Sequence, residues 1–380
     1  MAFNITNLVN AINAKSVTVG ADSALDKAVL LASNVKNALI YSSLGDLPTA
    51  DSSNHGDLVR IGASFGADTN YYVSHRDRWN PIVLDDSDVA TGGQFIPFQG
   101  SNFGYTSGGT TGAAAQNIID KFPFSSDANA TDVGDLTVAR SDLAGQSSST
   151  HGYSSGGSGV STVIEKFPFS SGGNATDVGD MTSGRYKVGG QSSPDNGYTH
   201  AGGGSPTALY NVIDKFPFSA DANATDVGDL SVGRGGAAGQ SSTTHGYASG
   251  GAPASNVIDK FTFSSDANAT DVGDLTLGRN EGAGQSSSTH GYTSGGYSGG
   301  FQNVIDKFSF SADGNATDVG DLTTGSSAVA GQSSTASGYR CGGAYPAINV
   351  IDKFSFSADG NASDVGDLTV ARYGAAGQQY

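Results

Sequence analysis

The chain has 380 residues, 56 of them glycine, and only 37% of it is hydrophobic, which is too little for a large helical core and suits many short strands joined by tight turns. A formal net charge of −17 argues against binding nucleic acid, because a phosphate backbone repels such a surface. One cysteine, Cys341, excludes an internal disulfide framework, and no stretch approaches the roughly 18 apolar residues of a membrane span.

The N-terminus, Met-Ala-Phe-Asn, has neither the basic start nor the apolar run of a signal peptide, so no secretory leader is expected. Residues 1–92 do not repeat. Residues 4–14 and 23–40 read as helices, the second with an apolar stripe of Leu25, Ala28, Val29, Ala32, Val35, Ala38 and Leu39. Such a stripe must pack on a partner chain or on the next module. Residues 1–40 are therefore expected to form a helical anchor or oligomerisation segment. Residues 41–92 are expected to form a small β attachment module, with strands near 57–61, 70–74 and 79–84.

From residue 93 to 380 the chain is a tandem repeat. Its lysine recurs at Lys121, Lys166, Lys215, Lys260, Lys307 and Lys353, six copies spaced 45 to 49 residues apart. That period holds four short strands and their turns, the size of one β-propeller blade. In the fourth copy the strands fall near 240–243 (strand a), 247–250 (b), 257–264 (c) and 271–277 (d). Strand c alternates, with Val257, Asp259, Phe261 and Phe263 on one face and Ile258, Lys260 and Thr262 on the other, a period of two that excludes a helix. One copy has too few apolar side chains to offset the entropy of ordering its backbone, so neighbours on both sides are required and a ring supplies them. The last residues, Gly377-Gln378-Gln379-Tyr380, form an unpaired strand a that is expected to complete the first blade.

The order of these elements resembles the kelch repeat. The double glycine stands at Gly108-Gly109, Gly156-Gly157, Gly250-Gly251, Gly295-Gly296 and Gly342-Gly343. The arginine before the next strand a stands at Arg140, Arg185, Arg234, Arg279 and Arg372, with Ser326 replacing it once. Kelch repeats carry a Trp in strand d, where this chain has Val133, Val178, Val227, Val272, Val319 and Val365. The resemblance covers about three-quarters of the chain and implies an all-β, six-bladed kelch-like propeller behind a small α+β N-terminal module.

Comparison among the six copies locates the variation. From each Lys to Asp-Val-Gly-Asp is always 11 residues, on to the Gln 14, and on to the next Gly-Tyr 6. The b–c loop alone changes length, running 7, 4, 8, 4, 6 and 5 residues, and the three-residue d–a link changes in sequence. Strands alternate in direction, so b–c loops and d–a links emerge on one face and the near-constant turns on the other. Binding residues favour loops on a rigid scaffold. The expected contacts are Tyr186, Lys187, Tyr210, Asn280, Glu281, Tyr297, Phe301, Tyr345 and Tyr373, whose aromatics suit stacking on sugar rings or on a protein.

Other chemistry is weaker. Asp127, Asn129, Thr131 and Asp135 have the oxygen spacing of a Ca²⁺ loop, but the second copy breaks it with Gly172, and no copy has glycine at position 6. A polar turn accounts for them better, and for the Asn-Ala-Thr triplets that match the glycosylation pattern. His151, His245 and His290 share one turn position, yet Asn196 and Ser337 occupy it elsewhere, so a symmetric metal ring is not expected. The repeated lysines are expected to pair with acids on blade surfaces. No catalytic constellation stands apart from the repeat, so no enzyme and no cofactor is expected; Cys341 alone gives little support for a copper oxidase on a kelch propeller.

The N-terminal segment carries a second resemblance. Gly45-Asp-Leu-Pro-Thr-Ala, Gly56-Asp-Leu-Val and Tyr71-Tyr-Val-Ser ahead of Arg78-Trp79 are similar to attachment modules of tailed-phage structural proteins, marine and cyanobacterial fibres above all. It implies a non-enzymatic virion appendage, made in the host cytoplasm. Residues 1–92 would bind other virion proteins and oligomerise, as a trimer, and the propeller would contact a host glycan or protein. The other readings are an intracellular or cell-surface protein-interaction module and, last, a kelch-type oxidase.

Overall fold

The computed structural model describes residues 99–380 apart from 205–206, and the backbone of four strands nearer the N-terminus. Two compact units divide the chain, Met1–Phe95 and Ile96–Tyr380. In the first, strands Leu39–Tyr41, Leu58–Ile61, Asn70–His75 and Arg78–Ile82 form one sheet in that order, the first pair parallel and the others antiparallel. Leu39 and Ile40, expected to close the second helix, are thus in a strand. The rest of that helix and the helix over 4–14 lie outside the described residues.

The second unit is a six-bladed β-propeller. Each blade is a four-stranded antiparallel sheet whose strands follow chain order from the axis outward. Blade 4 has Ala238–Ser241, His245–Ser249, Val257–Thr262 and Thr270–Asp274 as strands a to d. Strand a of blade 1 is Ala376–Gln379, paired with Phe103–Ser107, so the C-terminus closes the ring as expected. All four strands depart by one to three residues from their expected ends, strand c starting at Val257 as expected but stopping at Thr262 instead of 264. Strand b stops where Gly250 and Gly251 turn to φ of 69° and 118°, and strand d ends at Asp274 because its partner there, Val257, is the first residue of strand c.

No blade has a core of its own. The apolar clusters lie in the seams. Between blades 4 and 5, Tyr247, Ile258 and Leu275 of one meet Phe308, Phe310 and Ala316 of the next. All six seams repeat this set, with the strand-d valines packed at its edge. The two faces of strand c therefore address different neighbours. Phe261 packs on blade 3, while Ile258 packs on blade 5. Burial on both faces is what a blade inside a ring must have, and it explains why a lone copy cannot stand.

Polar bonds repeat at every seam as well. Near the axis, the strand-a glutamines Gln146, Gln191, Gln240, Gln285, Gln332 and Gln378 each donate Nε2 to the strand-b tyrosine carbonyl of the next blade, at 2.7–3.0 Å. At the rim, the asparagine of each Asn-Ala triplet accepts a backbone N–H from the preceding blade at 3.0–3.1 Å. The strand-a glycines stand so close that a Cβ on any of Gly145, Gly190, Gly239, Gly284, Gly331 or Gly377 would lie 2.1–2.4 Å from the preceding blade's glycine carbonyl. Glycine at this position sets the narrow bore of the ring.

Buried ion pairs complete each seam. The arginine after strand d reaches the strand-c acid of the next blade in Arg140–Glu165, Arg185–Asp214, Arg234–Asp259, Arg279–Asp306 and Arg372–Asp120, at 2.5–3.1 Å. Ser326 cannot supply the sixth. Its place is taken by Arg340 from strand b, 2.5 Å from Asp352 and fully buried. The guanidinium now comes from the acid's own blade, so the ion pair lies within blade 6, and Arg340 Nη2 reaches blade 5 at the Thr324 carbonyl, 3.4 Å away.

Candidate functional site: the link-and-loop face

Strand directions put the d–a links and b–c loops together, and backbone bridges tie them. Thr110 pairs with Tyr373, Tyr186 with Gly203, Gly235 with Ala252, Asn280 with Tyr297, and Ser327 with Ala344. The loops that vary most are thus fastened to the links that vary most.

The axial mouth on this face is a closed hydrogen-bonded ring. Asp142, Lys187, Gly236, Glu281, Ala328 and Gly374, the middle residues of the six links, each donate N–H to the carbonyl of the preceding one at 2.6–2.8 Å. All six hold left-handed φ between 52° and 67°. Only two are glycine, so four side chains accept a conformation that disfavours them. Asp142 leans over Gly374, where a Cβ would come within 2.9 Å of its Oδ1, and Glu281 leans over Gly236.

Three charges meet there. Lys187 forms an ion pair with Glu281, and Ser327 Oγ donates to the other Glu281 oxygen at 3.4 Å. Burial raises the Asp142 carboxyl pKa, Lys187 opposes that shift and Glu281 reinforces it. Burial works against the Lys187 charge, but the bond to Glu281 and the nearby Asp142 outweigh it and raise its pKa. The cavity has a volume of about 70 Å³, room for waters and not for a sugar ring. Asp142 was not singled out from the sequence. Its signal was available, since it occupies the same link position as Lys187 and Glu281.

The expected aromatic contacts fall into two groups. Tyr297 and Phe301 of blade 5 lie edge to face at 5.6 Å, Phe301 lies 6.5 Å from Tyr345 of blade 6, and Tyr345 lies 4.7 Å from Tyr373 in the link to blade 1. These four rings make one ridge. Tyr297, Phe301 and Tyr345 are 42%, 41% and 63% exposed. Tyr373 directly precedes Gly374 of the mouth ring, which places the ridge's inner end beside the mouth; its phenol is pushed up to about 12 by a side-chain hydrogen bond with Tyr345, by burial and by the charges of Asp142 and Glu281. Tyr186 and Tyr210 are in blade 3 and its link instead. Tyr210 lies 5.9 Å from the Arg185 guanidinium.

The expected turn chemistry is on the opposite face, where it is structural. Lys166, Lys215, Lys260, Lys307 and Lys353 each reach an aspartate in the next blade's c–d turn at 2.5–2.9 Å. Lys121 faces Gly172 in the sequence register of that aspartate, and its ammonium lies 3.8 Å over the Phe103 ring instead. In the possible Ca²⁺ loop, Asp127 holds Lys353, Asn129 accepts the Asp367 N–H and Thr131 donates to the Lys121 carbonyl. Among the described residues no group of three His, Cys, Asp or Glu side chains is placed to hold a metal. His151, His245 and His290 each contact the preceding threonine hydroxyl. No helix among the described residues is long and apolar enough to cross a membrane.

Two substitutions sit inside the ring. Cys341 and His200 occupy one repeat position, where the other four copies have Ser107, Ser155, Ser249 and Ser294. Both are buried against strand-a glutamines, Cys341 on Gln332 at 3.1 Å and His200 Nδ1 on Gln191 Oε1 at 3.0 Å.

No protein-family model matches the chain, and no curated protein matches it either.

Proposed function

We propose that the chain is a non-enzymatic recognition protein whose propeller holds a partner on the link-and-loop face. The observation that carries this reading is the polarity of the ring. The chain enters the propeller at the turn face, where Gly100 N–H bonds the Ser333 carbonyl and Gln99 Nε2 the Ser286 carbonyl, and it leaves beside them at Tyr380. Within the propeller, the entry of the chain and the variable loops are therefore on opposite faces. The charged groups of the mouth are paired with one another in a small space, which favours a scaffold over a reaction centre.

The finer reading is a tailed-phage appendage, with residues 1–92 bound to other virion proteins as a trimer and the loop face turned to a host-surface glycan or protein. It rests on the sequence motifs near Gly45, Gly56 and Arg78-Trp79. A protein-interaction module in or on a cell uses the same face.

Labelled full-length protein on intact bacterial cells tests recognition. A variant with loops 297–302 and 344–348 replaced by the four-residue loop of blade 4 is expected to keep its melting temperature and lose binding. Retained binding would discard the loop face. Antibody against the propeller is expected to decorate phage particles, and bare particles would discard the appendage reading alone.

A further inference from the structure

Resting on the recognition reading, we propose that the ridge Tyr297–Phe301–Tyr345–Tyr373 is a subsite for an uncharged polysaccharide chain lying across blades 5, 6 and 1. The first support is shape. The four rings are in successive contact at 5.6, 6.5 and 4.7 Å across blades 5, 6 and the link to blade 1, so successive sugar rings of an extended chain can each lie against aromatic carbon.

The second support is area. A fully exposed aromatic side chain presents about 150–250 Å². With Tyr297, Phe301 and Tyr345 at 42%, 41% and 63% exposure, the ridge offers on the order of 300 Å². A stable protein interface needs about 800 Å² per partner. A one-dimensional ligand needs less.

The third support is charge and setting. The chain carries −17, and Asp142 and Glu281 stand at the inner end of the ridge, so an acidic polymer would be repelled. The residues around the rings are Asn280, Ser298, Gly300, Gln302, Ala344 and Pro346, amides, a hydroxyl and small groups that suit sugar hydroxyls. Backbone pairing of Asn280 with Tyr297, Tyr297 with Phe301 and Thr110 with Tyr373 fixes the rings before any ligand arrives, which lowers the ordering cost of binding.

Full-length protein on a printed array of neutral, amino-sugar and acidic oligosaccharides tests the assignment, with soluble dextran and mannan as competitors. Retention on neutral spots and none on acidic spots is expected. Phe301→Ala and Tyr345→Ala are each expected to weaken that retention by about tenfold with no change in melting temperature, while Tyr186→Ala and Tyr210→Ala leave it within about twofold. Blank neutral spots, preference for acidic glycans, or wild-type retention by the ridge variants would each overturn the assignment. If the ridge variants lose binding to intact cells while every glycan spot stays blank, the polysaccharide assignment fails and loop-face recognition stands. If they bind cells like the wild type and no spot is retained, both fail.

Discussion

In the seams between blades, a change in one copy is answered by a second change at the same contact; among the exposed aromatics of the loop face, copies differ without such an answer. Ser326 lacks the guanidinium and Arg340 provides it. Gly172 lacks the carboxylate, and Phe103 provides a ring for Lys121. His200 is larger than the serines it replaces, and Gly189 opposite it is smaller than the alanines found in the other five copies. By contrast, Tyr345 and Phe301 stand exposed, with no matching change across the ring. The contrast separates residues constrained by closure from residues free to serve a ligand.

Breaking the relocated ion pair is the severest test of that contrast. Arg340→Thr leaves Asp352 buried without its cation, and urea unfolding is expected to show a loss of about 3–5 kcal/mol. Adding Ser326→Arg should return most of it, because five other seams place an arginine there. If the second change restores nothing, the seam does not read the guanidinium by position in space.

Next is the imidazole. A Cβ at Gly189 would lie 2.2 Å from His200 Cε1, so Gly189→Ala is expected to cost about 1–3 kcal/mol. In a His200→Ser background the same change should be close to neutral. Equal costs in both backgrounds in a double-mutant cycle would show that the two positions are not coupled.

His200 also carries a pH signature. Burial, with the charges of Arg234 and Arg185, pushes its pKa down to about 3. The unfolded chain binds the proton near 6.5, so it is the unfolded state that gains protons as pH falls. Stability from this group is therefore full above 6.5 and falls between 6.5 and about 3, by roughly 1.4 kcal/mol per pH unit. Subtracting the unfolding curve of the Gly189→Ala/His200→Ser variant from that of the wild type isolates the slope. A flat difference would show the imidazole to be charged or solvated in the fold.

The smallest effect is expected at the turn-face lysines. Lys260 and Asp313 have side chains 22% and 56% exposed, so Lys260→Met should change stability by about 1 kcal/mol or less, and less still at high salt. A loss as large as that of Arg340→Thr would erase the distinction between buried and rim pairs.

These couplings also mark what could be read from residues alone. The period, the four strands, the shared face of links and loops and closure by the last strand all follow from spacing, because a ring of identical sheets repeats whatever its contacts demand. Strand ends did not follow, since both faces of every blade are buried and polarity does not mark where the ladder stops. The compensations were hidden for a related reason. Arg340 lies at a repeat position where the other copies carry Thr, Ser or Ala, so no aligned copy points to it as the partner of Asp352, and Gly189 answers a histidine on the adjacent strand. Asp142 shares its link position with Lys187 and Glu281, a likeness legible in the repeat, but the left-handed ring that brings the three together exists only once the axis closes.

Closure by Ala376–Gln379 has a consequence for how the protein is made. Blade 1 begins near residue 103 but lacks its innermost strand until residues 376–379 have been made. Until then the seam between blades 6 and 1 is open: Phe122 lacks Tyr339 and Ile351 of blade 6, while Tyr105 and Ile119, already packed on blade 2, lack only Ala376. Tyr373, the inner end of the ridge, arrives in the same final stretch. A chain cut before residue 373 would therefore lack both the closed ring and the inner end of the ridge.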